Sequence, residues 1–482
     1  MTLFFRLLFV VITFSPFVLL AQNDSYNCFT ILVGSEASVD GSVFLAHNED
    51  DAGDRVVNWY KVPHEVHENL SEPVKLKRGG LVEQVTETFS YLWLELPELE
   101  FSDTYMNEHG LTITSNGCAS REDKPDLTHG GIGYWLRRLM IERAVTAKEA
   151  VKIGGALIEK YGYADSGRTY LIADPFETWM LSVVHGKHWV AQRLPHDHVA
   201  IIPNYYTIQS IDFKNKSYFL GSSDLVEYAI DRGWYNPETD GEFNFRKVYS
   251  DPEKLTSKSN IARHWVILNA LSGKQYSLEE EFPFSFQPKN KVALSDAFEL
   301  LRNHYEGTTL DITNGYEYGN PHQQETMTVC SNANQYGFVA QLRSWLSVEI
   351  GSVLWIAPRR PCNQAFVPIY SGVVSVPKNL AITNYKLALL NHFDGIPDYP
   401  QYENHTHRLF HGKTKFLDQD YIKRIKLSTE KIKELEHKLV SHQASFENKI
   451  QQQIISNPES GKKKLTNYSI DQFDKLVKFM KE

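Results

Sequence analysis

The sequence predicts an α+β fold followed by a mainly helical extension. Apolar runs rich in β-branched residues recur in blocks, helical periodicity fills other blocks, and strand patterns are missing from residues 381–482. The chain of 482 residues is long enough for two or three domains or for one large mixed domain. Its 42% hydrophobic and 23% charged residues are ordinary for a globular protein.

The opening strand-turn-strand unit organises the rest of the chain. Cys28 precedes the apolar run Phe29 to Val33, which predicts a strand, and Asp40-Gly41-Ser42 predicts a turn. A second apolar run, Val43 to Ala46, ends in the polar sequence His47-Asn48-Glu49-Asp50. A cysteine therefore stands at the start of the first predicted strand, and a group of polar side chains ends the second.

Residues 1–21 differ from the rest of the chain. Arg6 is the only early positive charge, Leu7 to Leu20 is almost wholly apolar, and Ala21 is a small residue suited to cleavage. The apolar run is shorter than the roughly 20 residues that span a bilayer. We therefore expect a signal peptide at 1–21, a short propeptide at 22–27, export to the periplasm or the exterior, and no stable membrane anchor after cleavage.

Strand and helix patterns occupy separate blocks after the opening unit. Strands are predicted at Trp59 to His67, Tyr91 to Leu96, Thr112 to Thr114, Tyr170 to Ala173, Trp179 to Val184, Trp189 to Arg193, Val199 to Pro203, Met327 to Ser331, Phe338 to Leu342, Val353 to Ile356 and Ala365 to Tyr370. Helices are predicted at Tyr134 to Ala144, Ala147 to Tyr161, Ala262 to Leu271 and Leu294 to His304. Thr146 and Glu149 have the spacing of a capping box at the start of the second helix.

The segment 381–482 is predicted to be mainly helical. Tyr421 to His442 is charged and has apolar residues at helical spacing, which predicts an amphipathic helix or a short coiled-coil hairpin. Pro458 to Lys464 predicts a polar break, and Ile470 to Met480 predicts a final helix. We expect these helices to pack on the core; binding of a partner, or self-association into a homo-oligomer, is the alternative.

Charge and residue spacing exclude several classes of function. A net charge of −9 leaves no basic surplus for binding nucleic acid. His64-Glu65-Val66-His67 spaces its histidines by three rather than four, so it is not a zinc-protease motif. We expect no metal and no organic cofactor. Four cysteines are too few for a disulfide framework. The three after Cys28 are Cys118, Cys330 and Cys362. Each is a buried small side chain, or two of them form one disulfide bridge.

Cys28 has the chemistry of a nucleophile once the residues before it are removed. Its thiol has a reference pKa near 8.5, and the new α-amino group has one of about 7.7–8.0. The neutral amine can then accept the thiol proton without help from a histidine. The thiolate attacks a carbonyl, hydrogen-bond donors stabilise the oxyanion, and water releases the acyl group.

A series of motifs begins at Cys28 to Ser42 and His47 to Asp50 and covers most of the following chain. It continues at Met106 to Leu111, Glu142 to Ala150, Leu171 to Pro175, Gly186 to Ala191, Leu301 to Thr308, Val339 to Arg343 and Val367 to Gly372. These motifs resemble those of the C69 dipeptidases, N-terminal-nucleophile (Ntn) cysteine hydrolases that are relatives of the secernins and, more distantly, of penicillin V acylases and bile-salt hydrolases.

The resemblance implies a four-layer αββα sandwich over residues 28–380 and a set of catalytic residues. Cys28 would be the nucleophile, Asp50 would hydrogen-bond the terminal amine or the thiol, and Asn204 would donate to the oxyanion. Ser115-Asn116 would supply a backbone N–H to the same oxyanion. Arg343 would orient the site or the substrate carboxylate.

His47 is a departure from the family, where arginine usually precedes the equivalent of Asn48. Histidine is not a permanent cation, so we expect His47 to lower the thiol pKa more weakly and in a pH-dependent way. We expect Glu49 and Asp51 to be ordinary solvated charges. The alternative is that one of them binds the ammonium group of a dipeptide.

The sequence thus predicts an exported cysteine dipeptidase that acts on small peptides through Cys28 and an acyl-enzyme. One alternative is an acylase or amidase that acts on non-peptide amides. The other is a non-catalytic, secernin-like protein that uses the fold for interaction.

Overall fold

Two antiparallel sheets lie face to face between layers of helices. The computed structural model describes residues 27–51, 54–394, 402 and 404–481. The predicted signal peptide and all but Asn27 of the predicted propeptide lie outside these residues. In the described part of the chain, no helix combines the length and apolar character that crossing a bilayer requires.

The described strands follow the chain in this order: β1 (Phe29–Val33), β2 (Val43–Asp50), β3 (Asn58–Val62), β4 (Glu65–Val66), β5 (Val74–Lys75), β6 (Leu81–Val82), β7 (Glu87–Thr88), β8 (Tyr91–Glu95), β9 (Thr104–Asn107), β10 (Thr112–Gly117), β11 (Tyr163–Ala173), β12 (Thr178–Gly186), β13 (Trp189–Arg193), β14 (Val199–Ile202), β15 (Phe219–Gly221), β16 (Asn334–Leu342), β17 (Ser352–Ala357) and β18 (Val367–Tyr370).

The described α-helices are α1 (Trp135–Arg143), α2 (Ala147–Tyr161), α3 (Leu225–Asp231), α4 (Phe245–Tyr249), α5 (Pro252–Leu255), α6 (Lys258–Ser272), α7 (Leu294–Leu301), α8 (Val348–Gly351), α9 (Tyr385–Asp394), α10 (His407–Asp418), α11 (Tyr421–Ser456) and α12 (Pro458–Lys481). Short 3₁₀ helices occur at Glu100–Ser102, Pro321–Gln323 and Pro361–Asn363.

The two main sheets of the described residues have six and eight strands. The six-stranded sheet has the order β14-β1-β2-β16-β17-β18, and the eight-stranded sheet has the order β15-β13-β12-β11-β10-β9-β8-β3. The opening strand β1 is therefore an inner strand, paired on both edges. This position explains why four of its five residues are apolar, because both of its faces are buried.

Side chains of the eight-stranded sheet alternate between two apolar clusters. Along β11, Leu171 and Ala173 join the cluster between the two sheets, whereas Tyr170 and Ile172 join the cluster that includes α1 and α2. On the opposite side of the molecule, α6, α7 and α12 contact the six-stranded sheet. The order of layers is helix, sheet, sheet, helix, which confirms the predicted αββα sandwich.

The C-terminal helices share the main core of the protein. Ile432 and Ile450 of α11, and Phe473 of α12, belong to the same apolar cluster as the inner faces of the sheets. The predicted break at Pro458 to Lys464 is wrong, because α12 begins at Pro458. Proline is favoured in the first turn of a helix, and only Asn457 separates α11 from α12.

A buried ion pair joins α11 to the six-stranded sheet. Arg343, which directly follows β16, donates two hydrogen bonds of 2.6 Å to the carboxylate of Glu447. Tyr370 donates to the same carboxylate at 2.9 Å. The two charged side chains are 6% and 4% exposed, so each depends on the other for compensation of its charge.

Removal of one charge from this pair should destabilise the protein more than removal of both. We expect Glu447→Met to lower the free energy of unfolding by about 3–5 kcal/mol, because it leaves Arg343 buried without its counter-ion. The double variant Arg343→Met with Glu447→Met should recover most of that loss. Urea unfolding of the wild type, both single variants and the double variant measures the coupling; equal losses in the single and double variants would contradict it.

Candidate active site

Strand register brings Cys28 opposite Glu49. Phe29 pairs with Asn48 and Thr30 pairs with His47 across β1 and β2, so the residue before β1 faces the residue after Asn48. Because side chains alternate along each strand, Cys28 and Thr30 lie on the same sheet face as His47 and Glu49. That face points toward β10 of the other sheet, where Asn116 receives a hydrogen bond from Thr30.

These side chains form a continuous hydrogen-bond chain between the sheets. Cys28 Sγ donates to Glu49 Oε1 at 3.0 Å, and Glu49 Oε2 lies 2.9 Å from His47 Nε2. His47 Nδ1 lies 2.8 Å from Thr30 Oγ1, which donates to Asn116 Oδ1 at 2.7 Å. Since the single Thr30 proton goes to Asn116, His47 donates from Nδ1. Its Nε2 then accepts a proton from the carboxyl group of Glu49.

Burial favours the neutral forms of Glu49 and His47 in this hydrogen-bond chain. It raises the pKa of Glu49 to about 8, and the hydrogen bond from Cys28 opposes that shift only in part. Burial, together with the cations Arg137 and Arg168, lowers the pKa of His47 well below its ordinary value. At neutral pH, His47 is therefore uncharged. We expected His47, which stands where relatives have arginine, to act as a cation that lowers the thiol pKa. This expectation is corrected, because the neutral ring instead forms a hydrogen bond with Glu49.

The thiol of Cys28 is protonated in this form of the chain. Burial raises its pKa well above the ordinary value, and the neighbouring carboxyl groups of Glu49, Asp51 and Asp50 raise it further. A base is therefore needed before the sulfur can act as a nucleophile.

Asp50 lies at the end of β2 beside Cys28. Its Oδ1 accepts a hydrogen bond of 3.0 Å from Ser331 Oγ and another from Asn334 Nδ2. Its Oδ2 is buried and has no hydrogen-bond partner within the described residues. Burial raises the pKa of Asp50 well above its ordinary range, and the cation Arg263 opposes that shift. One carboxyl oxygen is thus held by two side chains, and the other is left without a partner among the described residues.

A cavity of about 370 Å³ opens at Cys28 and holds two of the predicted catalytic partners, Asp50 and Asn204. Its volume is at the low end of the range for small-molecule sites, about 300–1,000 Å³. The remaining lining residues are Asn27, Phe101, Gly117, Ala119, Tyr134, Asp165, Ser166, Arg168 and Lys254.

Asn204 is fixed at this cavity by both ends of its amide group. Its Nδ2 donates to the carbonyl oxygen of Gly117 at 3.0 Å, and its Oδ1 accepts from Arg263 Nη2 at 3.0 Å. One of the two Nδ2 hydrogens remains for another acceptor. Arg263 Nη1 also donates to the carbonyl oxygen of Asn27 at 2.5 Å. The same guanidinium therefore holds Asn204 and the peptide bond before Cys28.

Asn116 and Ser115 are close to the site but do not line the cavity. Asn116 Nδ2 donates to the carbonyl oxygens of Ile202 at 2.7 Å and Cys28 at 3.2 Å, so it positions the strand ends that carry the site. Ser115 Oγ accepts from Arg168 at 3.0 Å. The side chain of Ser115 thus supports that arginine, and the backbone N–H of Ser115-Asn116 at the oxyanion stays a prediction.

Arg343 does not lie at this site, which corrects the prediction for it. Along β16, Asn334 pairs with Asp50 and Leu342 pairs with Val43, so Arg343 is at the opposite end of β2. Seven strand positions separate those ends by about 24 Å. Its guanidinium is occupied by Glu447.

Glu49 and Asp51 are also not solvated substrate contacts. Both are fully buried, and neither lines the cavity. Asp51 Oδ1 accepts from Ser102 at 3.0 Å, and burial raises its pKa well above the usual range. Glu49 instead accepts a hydrogen bond from the thiol of Cys28.

The structure brings three charged residues to the cavity that sequence reasoning missed: Asp165, Arg168 and Lys254. Arg168 belongs to β11, where Gly117 is its partner on β10. Its position depends on that sheet register, and no sequence pattern around it indicates a site. Cys28, His47 and Glu49 also place potential metal-ligand atoms within 4.8 Å of one another, but these atoms are already joined by hydrogen bonds.

Comparison with known proteins identifies sequence relatives over most of the chain. Residues 27–393 match Peptidase family C69, which confirms the predicted resemblance. A probable dipeptidase of Salmonella dublin is 28% identical over 369 residues, covering 74% of this chain and 83% of that protein. Dipeptidase A of Lactobacillus helveticus is 27% identical over 370 residues, covering 73% and 76% respectively. A probable dipeptidase B of Streptococcus pyogenes serotype M1 is 23% identical over 496 residues, covering 95% and 92%.

The proton on Glu49 should make stability depend on pH. The folded pKa of about 8 exceeds the value of about 4.3 for an unfolded chain. The stabilisation is therefore complete below about pH 4 and is lost as the pH rises through about 8. Glu49→Gln keeps an acceptor for Cys28 and gains a permanent donor for His47, so it should lack this loss.

Urea unfolding of the wild type and Glu49→Gln between about pH 5 and pH 8 measures the effect. The stability of the wild type relative to this variant should fall steadily as the pH rises. The exposed substitution Glu72→Gln is the control and should follow the wild type. Parallel profiles for the wild type and Glu49→Gln would mean that Glu49 is ionised in the folded protein.

Proposed function

This chain belongs to peptidase family C69, and from that premise we propose that it is a cysteine dipeptidase whose nucleophile is Cys28 at a newly formed N-terminus. The observation that carries the proposal is the arrangement at the cavity. Cys28, Asp50 and Asn204 all line it, and one carboxyl oxygen of Asp50 has no hydrogen-bond partner within the described residues. A nucleophile, a group that can hold its base and an oxyanion donor are thus together.

Removal of the residues up to Asn27 supplies the missing base. Cleavage of the bond between Asn27 and Cys28 leaves an α-amino group on the same residue as the thiol. Asp50 Oδ2 is the acceptor available to hold that amine, and Arg263 polarises the carbonyl of the bond to be cut. The neutral amine then takes the thiol proton.

The resulting thiolate can perform acyl transfer. It forms a bond to the carbonyl carbon of the substrate, and the remaining N–H of Asn204 stabilises the negative oxygen. The C–N bond breaks as the leaving amine takes the proton from the ammonium group of Cys28. Water then attacks the thioester, the amine acts as its base, and the thiol is restored.

The lining of the cavity suits a small zwitterion. An unblocked dipeptide carries an ammonium and a carboxylate a few bonds apart. Asp165 supplies a negative charge at the cavity, while Arg168 and Lys254 supply positive charges. An acylase for apolar acyl groups would have no use for this set of charges, so the charged lining favours dipeptides.

We also assign residues 1–21 to a cleaved signal and 22–27 to a propeptide, which makes the mature protein an exported enzyme. The composition of the first 21 residues supports export. The contact of Arg263 with the Asn27 carbonyl supports a second cleavage directly before Cys28.

The mature N-terminus and the activity of Cys28→Ser test this mechanism. Intact mass and N-terminal sequencing should show that the active protein begins at Cys28. Cys28→Ser should lose at least about 10³-fold in kcat/KM on unblocked dipeptides. Cys118→Ser, a change at another buried cysteine, is the control and should retain activity. A fully active protein that begins at Gln22, or faster hydrolysis of N-acyl amines than of dipeptides, would overturn the proposal.

Arg168 should determine recognition of the substrate carboxylate. We expect Arg168→Met to raise KM for a free dipeptide by about 10–100-fold, the effect of losing one charged hydrogen bond. The KM for the same dipeptide with an amidated C-terminus should change little, and Arg168→Lys should recover part of the loss. Steady-state kinetics on the two substrates separate this role from general damage, since damage would affect both equally.

A further inference from the structure

A second group of reactive side chains lies away from Cys28. Two imidazoles and two thiols place their potential ligand atoms within 4.8 Å of one another: His304, His322, Cys330 and Cys362. We call these residues the Cys₂His₂ cluster. Three of its members are buried and the fourth, His322, is half-buried. It is independent of the dipeptidase proposal, which uses none of these residues.

Both imidazoles are held from behind so that Nε2 points into the cluster. His304 Nδ1 lies 2.7 Å from the hydroxyl of Tyr316 and 3.1 Å from Glu306 Oε1. Because the Tyr316 hydroxyl itself donates to Glu306, its oxygen accepts the proton of His304 Nδ1. Contacts from Nδ1 to a carboxylate or hydroxyl are typical of histidines that bind metal through the other nitrogen.

His322 has the same arrangement on the other side of the cluster. Its Nδ1 lies 2.9 Å from Asn320 Oδ1, while the amide nitrogen of Asn320 donates to Asp418. The oxygen of that amide therefore faces His322, and Nδ1 carries the proton. In their neutral forms, both rings then present a lone pair at Nε2.

The two Nε2 lone pairs face each other and would repel at their separation, so a proton or a metal ion is needed between or beside them. His304 Nε2 and His322 Nε2 are 3.1 Å apart. Cys362 Sγ lies 3.6 Å from His322 Nε2. In a tetrahedral zinc site with Zn–N of about 2.0 Å and Zn–S of about 2.3 Å, neighbouring ligand atoms are about 3.3–3.8 Å apart. The two separations measured in the cluster are close to these ligand-to-ligand distances.

We propose that the Cys₂His₂ cluster is a structural metal site that binds one Zn²⁺ ion per chain. Two thiols and two imidazoles form a donor set typical of structural zinc, with no position left for a reacting water. Binding converts both thiols to thiolates and releases their protons to solvent. A cavity of about 950 Å³ bordered by His304, Cys362 and Tyr421 offers a path for the ion.

The metal would join the segment between α7 and β16 to the 3₁₀ helix Pro361–Asn363, and the start of α11 packs against one of its ligands. Cys330 directly precedes Ser331, which donates to Asp50. Cys362 lies in the 3₁₀ helix after Arg360, whose guanidinium pairs with Asp418 at the end of α10. The ring of His322 packs edge-on against Tyr421 at the start of α11, with centroids 5.2 Å apart. Zinc would therefore fix the loop beside Asp50 and the start of the C-terminal helices together.

The metal content of the purified full-length protein tests the proposal directly. After growth in medium with Zn²⁺ and exhaustive dialysis, mass spectrometry of the metals should find about one zinc per chain. Replacement by Co²⁺ should give thiolate-to-cobalt charge-transfer absorption and the d–d bands of a tetrahedral site. Chelation should lower the midpoint of thermal unfolding, because an ion that binds the folded state stabilises it by mass action.

Variants assign the metal to these side chains. Cys330→Ser and Cys362→Ser should each lose the bound zinc and the charge-transfer band. Cys118→Ser removes a buried thiol outside the cluster, so it should keep both. Tyr316→Phe removes the hydroxyl that contacts His304 and Glu306 but keeps all four ligands, and it should weaken zinc affinity by about 10–100-fold.

The wild-type protein alone can overturn the proposal, so the test does not depend on folding of the variants. Absence of metal after addition of Zn²⁺, with a mass two hydrogens lower from a bridge between Cys330 and Cys362, would show a disulfide instead. Absence of metal with free thiols would show that a proton joins the two imidazoles. Neither result would affect the dipeptidase proposal, which is tested at Cys28.

Discussion

The hydrogen bond from Thr30 to Asn116 connects the two sheets at the point where the site is built. It uses the only proton of the Thr30 hydroxyl, which in turn determines the tautomer of His47 and the need for a proton on Glu49. Asn116 uses its amide hydrogens on the carbonyls of Cys28 and Ile202. A polar network inside an apolar core is stable only when every member is satisfied, so this one contact constrains Cys28, its neighbours and the spacing of the sheets.

Three acidic side chains lie in the core at this site, and nearby arginines reduce the free-energy cost of burying their charges. Glu49, Asp50 and Asp51 are fully buried, and burial raises the pKa of each. Arg168 acts against the shift at Glu49, and Arg263 acts against the shift at Asp50. A cationic amine at the matured N-terminus would add a further positive charge beside Asp50. Cleavage before Cys28 would thus supply a cation that favours the charged form of Asp50.

The C-terminal helices are a structural part of the peptidase core and not a loosely attached domain. Besides its apolar contacts, α11 brings two buried glutamates to arginines of the core, with Glu436 paired to Arg302 and Glu447 paired to Arg343. The Cys₂His₂ cluster lies where this helix begins, next to the loop that holds Asp50. The start of α11 is therefore close to the loop that positions Asp50.

The sequence by itself determined the strand-rich blocks and six of the twelve described α-helices, because these depend on local periodicity. The motifs and the family resemblance pointed to Cys28, Asp50 and Asn204, which line one cavity in the structure. Only the tertiary structure decided which distant side chains meet. The register of β16 with β2 places Arg343 at the end of β2 that is far from Cys28. The register of β10 with β11 places Arg168 at the cavity. The pairing of β1 with β2 turned Glu49 inward to the thiol. The Cys₂His₂ cluster escaped sequence reasoning because loops bring together its four residues, whose spacing follows no metal-binding motif.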